Sequence, residues 1–533
     1  MTPERSRGGG GVARVFRGVM TAWRGLRAGM DGTSWTGLMG LAAGAVAIGY
    51  LTVMVSTMVP DKPAMLAVLP LMLLTGFLFV YSREAFLMVV LLVRAGANPI
   101  FEETRLAAIG GLGGLLNALV ILLAGLIIAR DPKRVPRAAW LIWLPFIAMQ
   151  ALGIVYSPEK VQAIRLYLGQ LSVVALFLVS FYLVTEEADL NKLLRLVTWS
   201  SVPVALVTLV YIGLGRTAGS VDGFESGAGR YGGPFPHANI LAFYLVLCLG
   251  VLLYRWKSGQ IGRQPVTLMA VTGYMLLLIG LLFATKTRSA WISVVFLFVV
   301  YGLFRERRYI VYLAIGGMLS MLIPEVRERV MGMTQGNEVV QYAQLNSFAW
   351  RKLLWTDALT WMSPSRYLTG YGAESFQQLS PTFFSMAGRV NWGAHSAAVQ
   401  VFFELGAIGL GAFCWVYWRT GRMIATLWRA RPLLALVGLS LLGANFLVSL
   451  SDNMLFYLIY NWYFWLTMGA ICALACRIAG AGERRKARPW GIRPSKYRPP
   501  PDFPPTEPLH PTLPPPLPAS PARPARLTGG RFR

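Results

Sequence analysis

Long apolar runs separated by short polar stretches occupy most of the chain between Trp35 and Ala475. Most runs are roughly 15 to 24 residues long, and about 20 apolar residues in a helix cross a hydrocarbon core. Since a helix satisfies its own backbone hydrogen bonds, the pattern predicts an all-α polytopic membrane protein with about 12–14 transmembrane helices. The predicted spans are 35–58, 64–82, 85–97, 106–129, 137–156, 166–184, 196–214, 238–254, 266–284, 289–304, 309–323, 396–418, 432–450 and 454–475.

One of these runs, 85–97, is short and carries Arg94 inside it. A charged side chain is costly at the centre of a bilayer. A re-entrant segment is therefore the alternative to a complete crossing at this point.

Composition and charge agree with a membrane location. Hydrophobic residues make up 55% of the chain and charged residues 14%, whereas soluble domains carry about a quarter charged residues. The net charge of +26 does not indicate a nucleic-acid partner, because Lys and Arg lie mainly beside the ends of the predicted spans. Threading the spans puts these basic clusters on one side, which the positive-inside rule makes the cytoplasm. We expect a multi-pass inner-membrane protein with both termini cytoplasmic.

The predicted organisation has four parts, with two extracytosolic loops, 215–237 and 324–395, that are much longer than the other outside connections. Function is expected in these loops, because loops carry binding and catalytic groups on a rigid scaffold. The parts are a cytoplasmic basic amphipathic leader (1–34), the N-terminal transmembrane helices (35–214), the membrane region with both long loops (215–475) and a Pro/Arg-rich disordered cytoplasmic tail (476–533).

The longer loop contains one predicted helix, within LNSFAWRKLLWTDALTW. Apolar residues recur there at three- to five-residue spacing, which indicates an amphipathic helix. It either rests on the membrane as a structural lid or contacts substrate. The apolar positions are Leu345, Phe348, Leu353, Leu354, Ala358 and Trp361.

Three side chains at the predicted outer mouth of the bundle suggest chemistry. His395 ends the long loop, Arg230 lies in the first loop, and Arg288 lies at the outer end of the predicted span 289–304. An imidazole can take a proton near neutral pH, and guanidinium groups suit the oxygens of a diphosphate. The alternatives are a structural histidine and arginines that snorkel or pair with carboxylates.

Other polar residues are weaker candidates. Glu404 lies inside an apolar run, so we expect it to face the bundle interior. His237 and Asn239 lie beside Arg230 and either contact sugar or phosphate, or, for Asn239, cap a helix. Asp452 and the following asparagine are expected to form a solvated turn in the final hairpin.

Several local motifs, spread over about 160–418, resemble those of a known family. The most specific is HSAAVQVFFELGAIG, in which His395-Ser396 is followed after nine residues by Gly406 and after two more by Gly409. Weaker matches are GRYGGPFPHANILA, TKTRSAW, AWRKLLWTDAL (which contains Arg351) and GYGAESF. The chain thus resembles the O-antigen ligase and polysaccharide polymerase superfamily of bacterial membrane glycosyltransferases.

That resemblance implies a GT-C-like bundle with one large periplasmic loop before the third-last helix. It also implies a metal-independent, inverting transferase that passes a glycan from undecaprenyl diphosphate to an acceptor glycan or lipid A core. His395 would be the base, Arg230 and Arg288 would bind the diphosphate, and His237, Asn239, Arg351 and Glu404 would support them. We expect no cofactor, no metal and no nucleic acid, with membrane lipids and polysaccharide-assembly proteins as further partners.

Three other functions remain open from the sequence. An exopolysaccharide polymerase and a protein-glycosylating transferase of the same superfamily share the lipid-linked donor and differ in the acceptor. A polysaccharide or lipid transporter is the third alternative, because helical bundles of this size host many transporters. Transporters often show paired halves with interrupted helices near the midplane, and the sequence shows no internal repeat.

Overall fold

The computed structural model describes residue 76 and residues 83–103, 111–218, 229–262, 264–331, 347–388 and 390–486. The predicted leader and the spans 35–58 and 64–82, apart from residue 76, lie outside these residues, as does the tail beyond 486. One compact unit, Met1–Ala481, holds nearly all of the described part. Of the second unit, Gly482–Arg533, only 482–486 are described, as the last residues of a helix.

The described residues form helices, and no strand occurs among them. The helices are α1 (Arg83–Val93), α2 (Asn98–Glu103), α3 (Gly111–Arg130), α4 (Arg137–Val155), α5 (Lys160–Leu183), α6 (Glu187–Gly213), α7 (Ala238–Lys257), α8 (Pro265–Ala284), α9 (Arg288–Phe304), α10 (Arg308–Ser320), α11 (Pro324–Met331), α12 (Ser347–Trp361), α13 (Ser375–Phe383), α14 (Ala397–Ala425), α15 (Pro432–Ser449) and α16 (Leu458–Lys486).

Nine of the described helices are long and apolar enough to cross a membrane. They are α3 to α8 and α14 to α16, and this confirms the all-α polytopic membrane fold. Proline at the first helical position starts α8 and α15, where its missing N–H costs nothing. The last helix continues to Lys486, eleven residues beyond the predicted end of the final span at 475.

The short run around Arg94 does not form one long helix. Helix α1 has 11 residues, which is about 17 Å at 1.5 Å per residue. Arg94 is buried just after it, donates from Nη1 to Oδ1 of Asn98 at 2.7 Å, and lies over the ring of Phe101. Asn98 in turn donates to the carbonyl of Pro234 at 3.0 Å. The arginine is therefore held by polar and aromatic partners inside the protein.

The basic connections of the chain meet at one end of the bundle, called here the basic end. Ion pairs and hydrogen bonds join the connections that follow α5, α7, α9 and α14. This grouping agrees with the threading of the predicted spans. The contacts are Arg431 with Glu187, Lys257 with Glu306, and Gln260 with Asn191.

The opposite end, called the loop end, carries a small subdomain formed by residues 347–394. Its apolar core is distinct from that of the bundle and includes Phe403 from α14. Trp350, Leu354 and Ala358 form the buried face of α12. The predicted apolar face of α12 was partly wrong, since Phe348, which was assigned to it, is 61% exposed. The reason is that α12 packs on aromatic side chains supplied by distant segments, which shift the buried stripe toward Trp350.

Candidate functional site

His395 lies at the loop end, directly before α14, where its backbone adopts φ 48°. The left-handed region is uncommon for a residue with a side chain, and two contacts of the subdomain hold it there. The Trp350 ring lies 5.7 Å from the imidazole, and Trp355 Nε1 donates to the carbonyl of Ala394 at 2.6 Å. Ser396 then caps α14 by accepting the Val399 N–H. These contacts therefore hold the backbone on both sides of the half-buried imidazole in place.

Arg230 is anchored to the connection between α8 and α9. Its Nε donates to the carbonyl of Thr285 at 3.1 Å, and its Nη2 donates to Thr287 Oγ1 at 3.2 Å. The same Nη2 donates to Oδ1 of Asn239 at 2.6 Å. The backbone of Tyr231 adds a hydrogen bond to the carbonyl of Ala284. The first loop is thus packed against the α8–α9 connection.

A third cation, Lys286, joins Arg230 and Arg288 at this place. Arg288 is the first residue of α9, and Lys286 stands two residues before it with φ 52°. The Lys286 amine is 3.9 Å from where a Cβ on Gly229 would lie, so it is close to the Arg230 segment. The N-terminus of α9 adds a partial positive charge. Lys286 was not predicted from the sequence, although it lies two residues before Arg288 in the TKTRSAW motif.

Asp452 is the polar centre that the sequence did not reveal. Its side chain is 1% exposed and accepts from Nδ2 of Asn239 at 2.8 Å, from the Tyr457 hydroxyl at 2.7 Å and from the Asn453 N–H. The expectation of a solvated turn was wrong, because donors from α7 and from the start of α16 converge on the carboxylate. Burial and the Asp452 charge raise the pKa of Tyr457, which keeps its hydroxyl protonated as a donor.

These contacts connect the histidine to the cations. The Ala397 N–H, two residues after His395, donates to the backbone carbonyl of Asp452 at 3.2 Å. The Asp452 carboxylate holds Asn239, and Asn239 holds the Arg230 guanidinium. The structure therefore brings His395, Arg230 and Arg288 to one end of the bundle, and hydrogen bonds link the segment of His395 to Arg230.

Helix α7 is capped by His237 and not by Asn239. The cap of α7 is His237, whose Nδ1 accepts the N–H of Asn239 at 3.1 Å and whose ring stacks on Tyr457. The capping alternative for Asn239 was wrong, because its side-chain oxygen and nitrogen are engaged by Arg230 and Asp452.

Arg351 connects the subdomain to the final hairpin. It lies on α12 and donates from Nη1 to the carbonyl of Ser451 at 2.7 Å. Because Trp350 on the same helix contacts His395, α12 touches both the histidine and residues 451–453, called here the Asp452 corner. This observation favours a positioning role for α12 within the site.

Helix α14 is broken at Gly406, which has φ 68° and ψ −168°. The subdomain fills the break with its own backbone, because the N–H groups of Tyr371 and Gly372 donate to the carbonyls of Phe403 and Glu404. Beyond the break, the Ala407 N–H donates to the Tyr367 carbonyl at 2.7 Å. Interrupted backbone is tolerated at membrane depth only where protein satisfies it.

At both glycine positions of the sequence motif, a larger side chain would clash with neighbouring atoms. A Cβ at Gly406 would overlap the backbone of Leu368, and one at Gly409 would overlap the side chain of Leu405. Glu404 is buried at this break, where Gln400 Nε2 donates to its Oε1 at 2.9 Å. The expectation that Glu404 faces the protein interior is confirmed.

Residues with a strained backbone conformation lie near the same end of the molecule. In the described part of the chain, the residues other than glycine with positive φ are Lys286, Glu374 and His395. Each such conformation costs roughly 1–3 kcal/mol and persists only where surrounding contacts impose it. Glu374 follows the Gly370–Gly372 turn, and burial raises the pKa of its carboxyl. No group of three or more histidine, cysteine or acidic residues that could hold a metal occurs among the residues the structure describes.

Comparison with known proteins relates this end of the molecule to one family. Residues 273–414 match the family described as O-antigen ligase, and this match confirms the resemblance found in the sequence. The matched segment includes Lys286, Arg288, His395 and Glu404, whereas Arg230 and Asp452 lie outside it. No curated protein matches the chain. The match supports a glycosyltransferase-like function of the ligase or polymerase type in polysaccharide biosynthesis.

Proposed function

We propose that the protein is an O-antigen ligase-type glycosyltransferase. It transfers a glycan from undecaprenyl diphosphate to a hydroxyl of an acceptor sugar, with inversion at the anomeric carbon and without a metal. The observation that carries this proposal is the linked arrangement at the loop end, in which His395 and Arg230 lie on either side of Asp452. One side offers a proton acceptor and the other a cluster of positive charge.

In the proposed reaction, the acceptor hydroxyl gives its proton to the His395 imidazole as its oxygen attacks the anomeric carbon. A new glycosidic bond forms from the face opposite the diphosphate, and the bond between the anomeric carbon and the phosphate oxygen breaks. The electron pair of that bond leaves with the undecaprenyl diphosphate, and the imidazolium later returns its proton to water. A weakly nucleophilic hydroxyl gains most from such a base.

The cation cluster stabilises the leaving group. Negative charge builds on the phosphate oxygen that leaves the anomeric carbon as the glycosidic bond breaks, and donors already in place lower the cost of that charge. Arg230 reaches this position with its orientation set by Asn239, Thr285 and Thr287. Lys286 and Arg288 supply further charge from the adjoining turn.

We also propose the orientation in the membrane. The basic end faces the cytoplasm, as the positive-inside rule requires, so the loop end and the site face the periplasm of the inner membrane. The predicted termini are then cytoplasmic. The acceptor is a glycan or the lipid A core, and an exopolysaccharide polymerase is the second candidate.

The direct test is transfer by the purified protein from an undecaprenyl-diphosphate oligosaccharide to defined acceptors, with EDTA present. We expect transfer to persist with EDTA at a rate within about twofold of that without it, because the base and the cations supply the catalysis. Elongation of a lipid A core indicates a ligase, and elongation of a second donor glycan indicates a polymerase. Donor that is never consumed with any acceptor contradicts the transferase proposal and favours a transporter.

Neutralising the cation cluster should weaken donor binding and transition-state stabilisation together. We expect Lys286→Gln and Arg288→Gln each to lower kcat/KM for the lipid-linked donor by about 10- to 100-fold, since a charge-assisted hydrogen bond contributes roughly 1.5–3 kcal/mol. Arg288→Lys should recover only part of the loss, because an ammonium cannot bind bidentately. Steady-state kinetics with varied donor check this.

The matched control is Lys133→Gln, which removes an exposed lysine between α3 and α4 at the opposite end of the molecule. It should leave the same kinetic constant unchanged. Wild-type kcat/KM in both variants would exclude Lys286 and Arg288 from donor binding.

A further inference from the structure

A chain of buried polar side chains runs through the outer half of α14. Gln400, Glu404 and Asn453 are 3%, 5% and 6% exposed. Gln400 Nε2 donates to Glu404 at 2.9 Å, and its Oε1 accepts from Nδ2 of Asn453. The two ends of one glutamine side chain therefore join the helix break to the final hairpin.

Each end of this chain continues into a different part of the site. At one end the Asn453 N–H donates to the Asp452 carboxylate, which holds Asn239 and, through it, Arg230. At the other end Glu404 belongs to the break that the Gly370–Gly372 turn of the subdomain fills. The backbone amides of Glu374 and Phe376 face the Glu404 carboxylate.

His395 lies directly before the first turn of α14, and this turn lies between the two ends of the polar chain. The Gln400 N–H donates to the carbonyl of Ser396, the residue after His395. A displacement of the Gln400 side chain or of its turn therefore acts on the segment that holds the imidazole. The same displacement breaks the hydrogen bond to Asn453, whose N–H holds the Asp452 carboxylate.

We infer that Gln400 and Glu404 are positioning residues, which fix the distance between the His395 side and the Arg230 side of the site. This inference rests on the proposed function. Apolar side chains of similar volume would fill the same space without burying an acid and two amides. Hydrogen bonds that run without a break from Glu404 through Gln400 and Asn453 to Asp452 instead restrict the arrangement of these residues, although Asn453 Oδ1 itself has no partner among the described residues. Near-attack geometry tolerates errors of only about 1 Å.

The test compares three variants in the transfer assay. Gln400→Met keeps the volume and removes both hydrogen bonds, so kcat should fall about 10- to 100-fold while the donor KM stays within about threefold. The double variant Gln400→Glu with Glu404→Gln restores both bonds, because the new carboxylate accepts from Asn453 and from the new amide. Its kcat should return to within about fivefold of wild type. Gln378→Met makes the same exchange at an exposed position of α13 and should have no effect.

A second measurement reads the position of His395 without any turnover. The chain has three histidines, so NMR of protein labelled at the histidine Cε1 resolves few signals, which single substitutions assign. The His395 signal should move in Gln400→Met and return in the double variant. A wild-type kcat and an unmoved signal in Gln400→Met would overturn the inference.

The two readouts separate this inference from the proposed function. If the wild-type protein transfers no glycan and the signal still moves and returns, the proposed function fails and the positioning role stands. If kcat falls only in proportion to a loss of folded protein, with the signal unmoved, Gln400 contributes to stability alone.

Discussion

Replacing His395 with alanine should lower the rate of glycan transfer by about 10²- to 10⁴-fold, the usual contribution of a general base. The donor KM should change little, because the cations that bind the diphosphate lie on the other side of the Asp452 corner. Free imidazole in the buffer should restore part of the rate, since the cavity left by the substitution admits a mobile base. Initial rates with purified donor and acceptor give both constants.

Two further variants decide whether the effect is chemical. His395→Gln keeps a polar side chain beside Trp350 and should be as slow as the alanine variant, because an amide takes no proton. His510→Ala makes the same exchange in the Pro-rich segment and should retain full activity. Full transfer by His395→Ala would contradict the assignment of His395 as the base.

Gly406→Ala should prevent most of the protein from folding. Its φ and ψ fall in a region that essentially only glycine occupies, and the added Cβ would overlap the backbone of Leu368. A side chain cannot rotate away from a backbone clash, so either α14 or the subdomain must shift. We expect destabilisation of roughly 3 kcal/mol or more, measured by thermal unfolding in detergent and by the folded yield.

Gly411 on the same helix provides the matched control. A Cβ there meets no atom within 4 Å, and alanine is the better helix former by about 1 kcal/mol. Gly411→Ala should therefore unfold at the wild-type temperature or slightly above it. Equal stability of the two variants would mean that the break in α14 is not a fixed feature of the fold.

Hydropathy predicted the membrane fold because it depends on local sequence. Most limits of the long helices lie within a few residues of the predicted ones, and the two loops that follow α6 and α10 hold Arg230 and His395. The motif after His395 identified the segment that matches the O-antigen ligase family. Periodicity and charge bias are properties of neighbouring residues, so one sequence is enough to read them.

Burial by distant partners could not be predicted in the same way. Asp452 was expected in water because it follows a polar turn, yet its partner Asn239 lies 213 residues away in the chain. The apolar face of α12 was misjudged for a related reason, since Phe376 and Phe403 complete its core from other helices. Lys286 stood inside a recognised motif, but only the packing of Gly229 against it shows that it belongs to the site.

The break in α14 sets an order for biogenesis. A membrane helix that stops hydrogen-bonding to itself at Gly406 needs backbone partners from Tyr367 and Gly372. These partners precede α14 in the chain, so the ribosome synthesises them first. Under the proposed orientation they must also be translocated before α14 can settle. A delay in export of the 347–394 segment would therefore leave α14 with unpaired peptide groups in lipid, a state that membrane quality control can recognise.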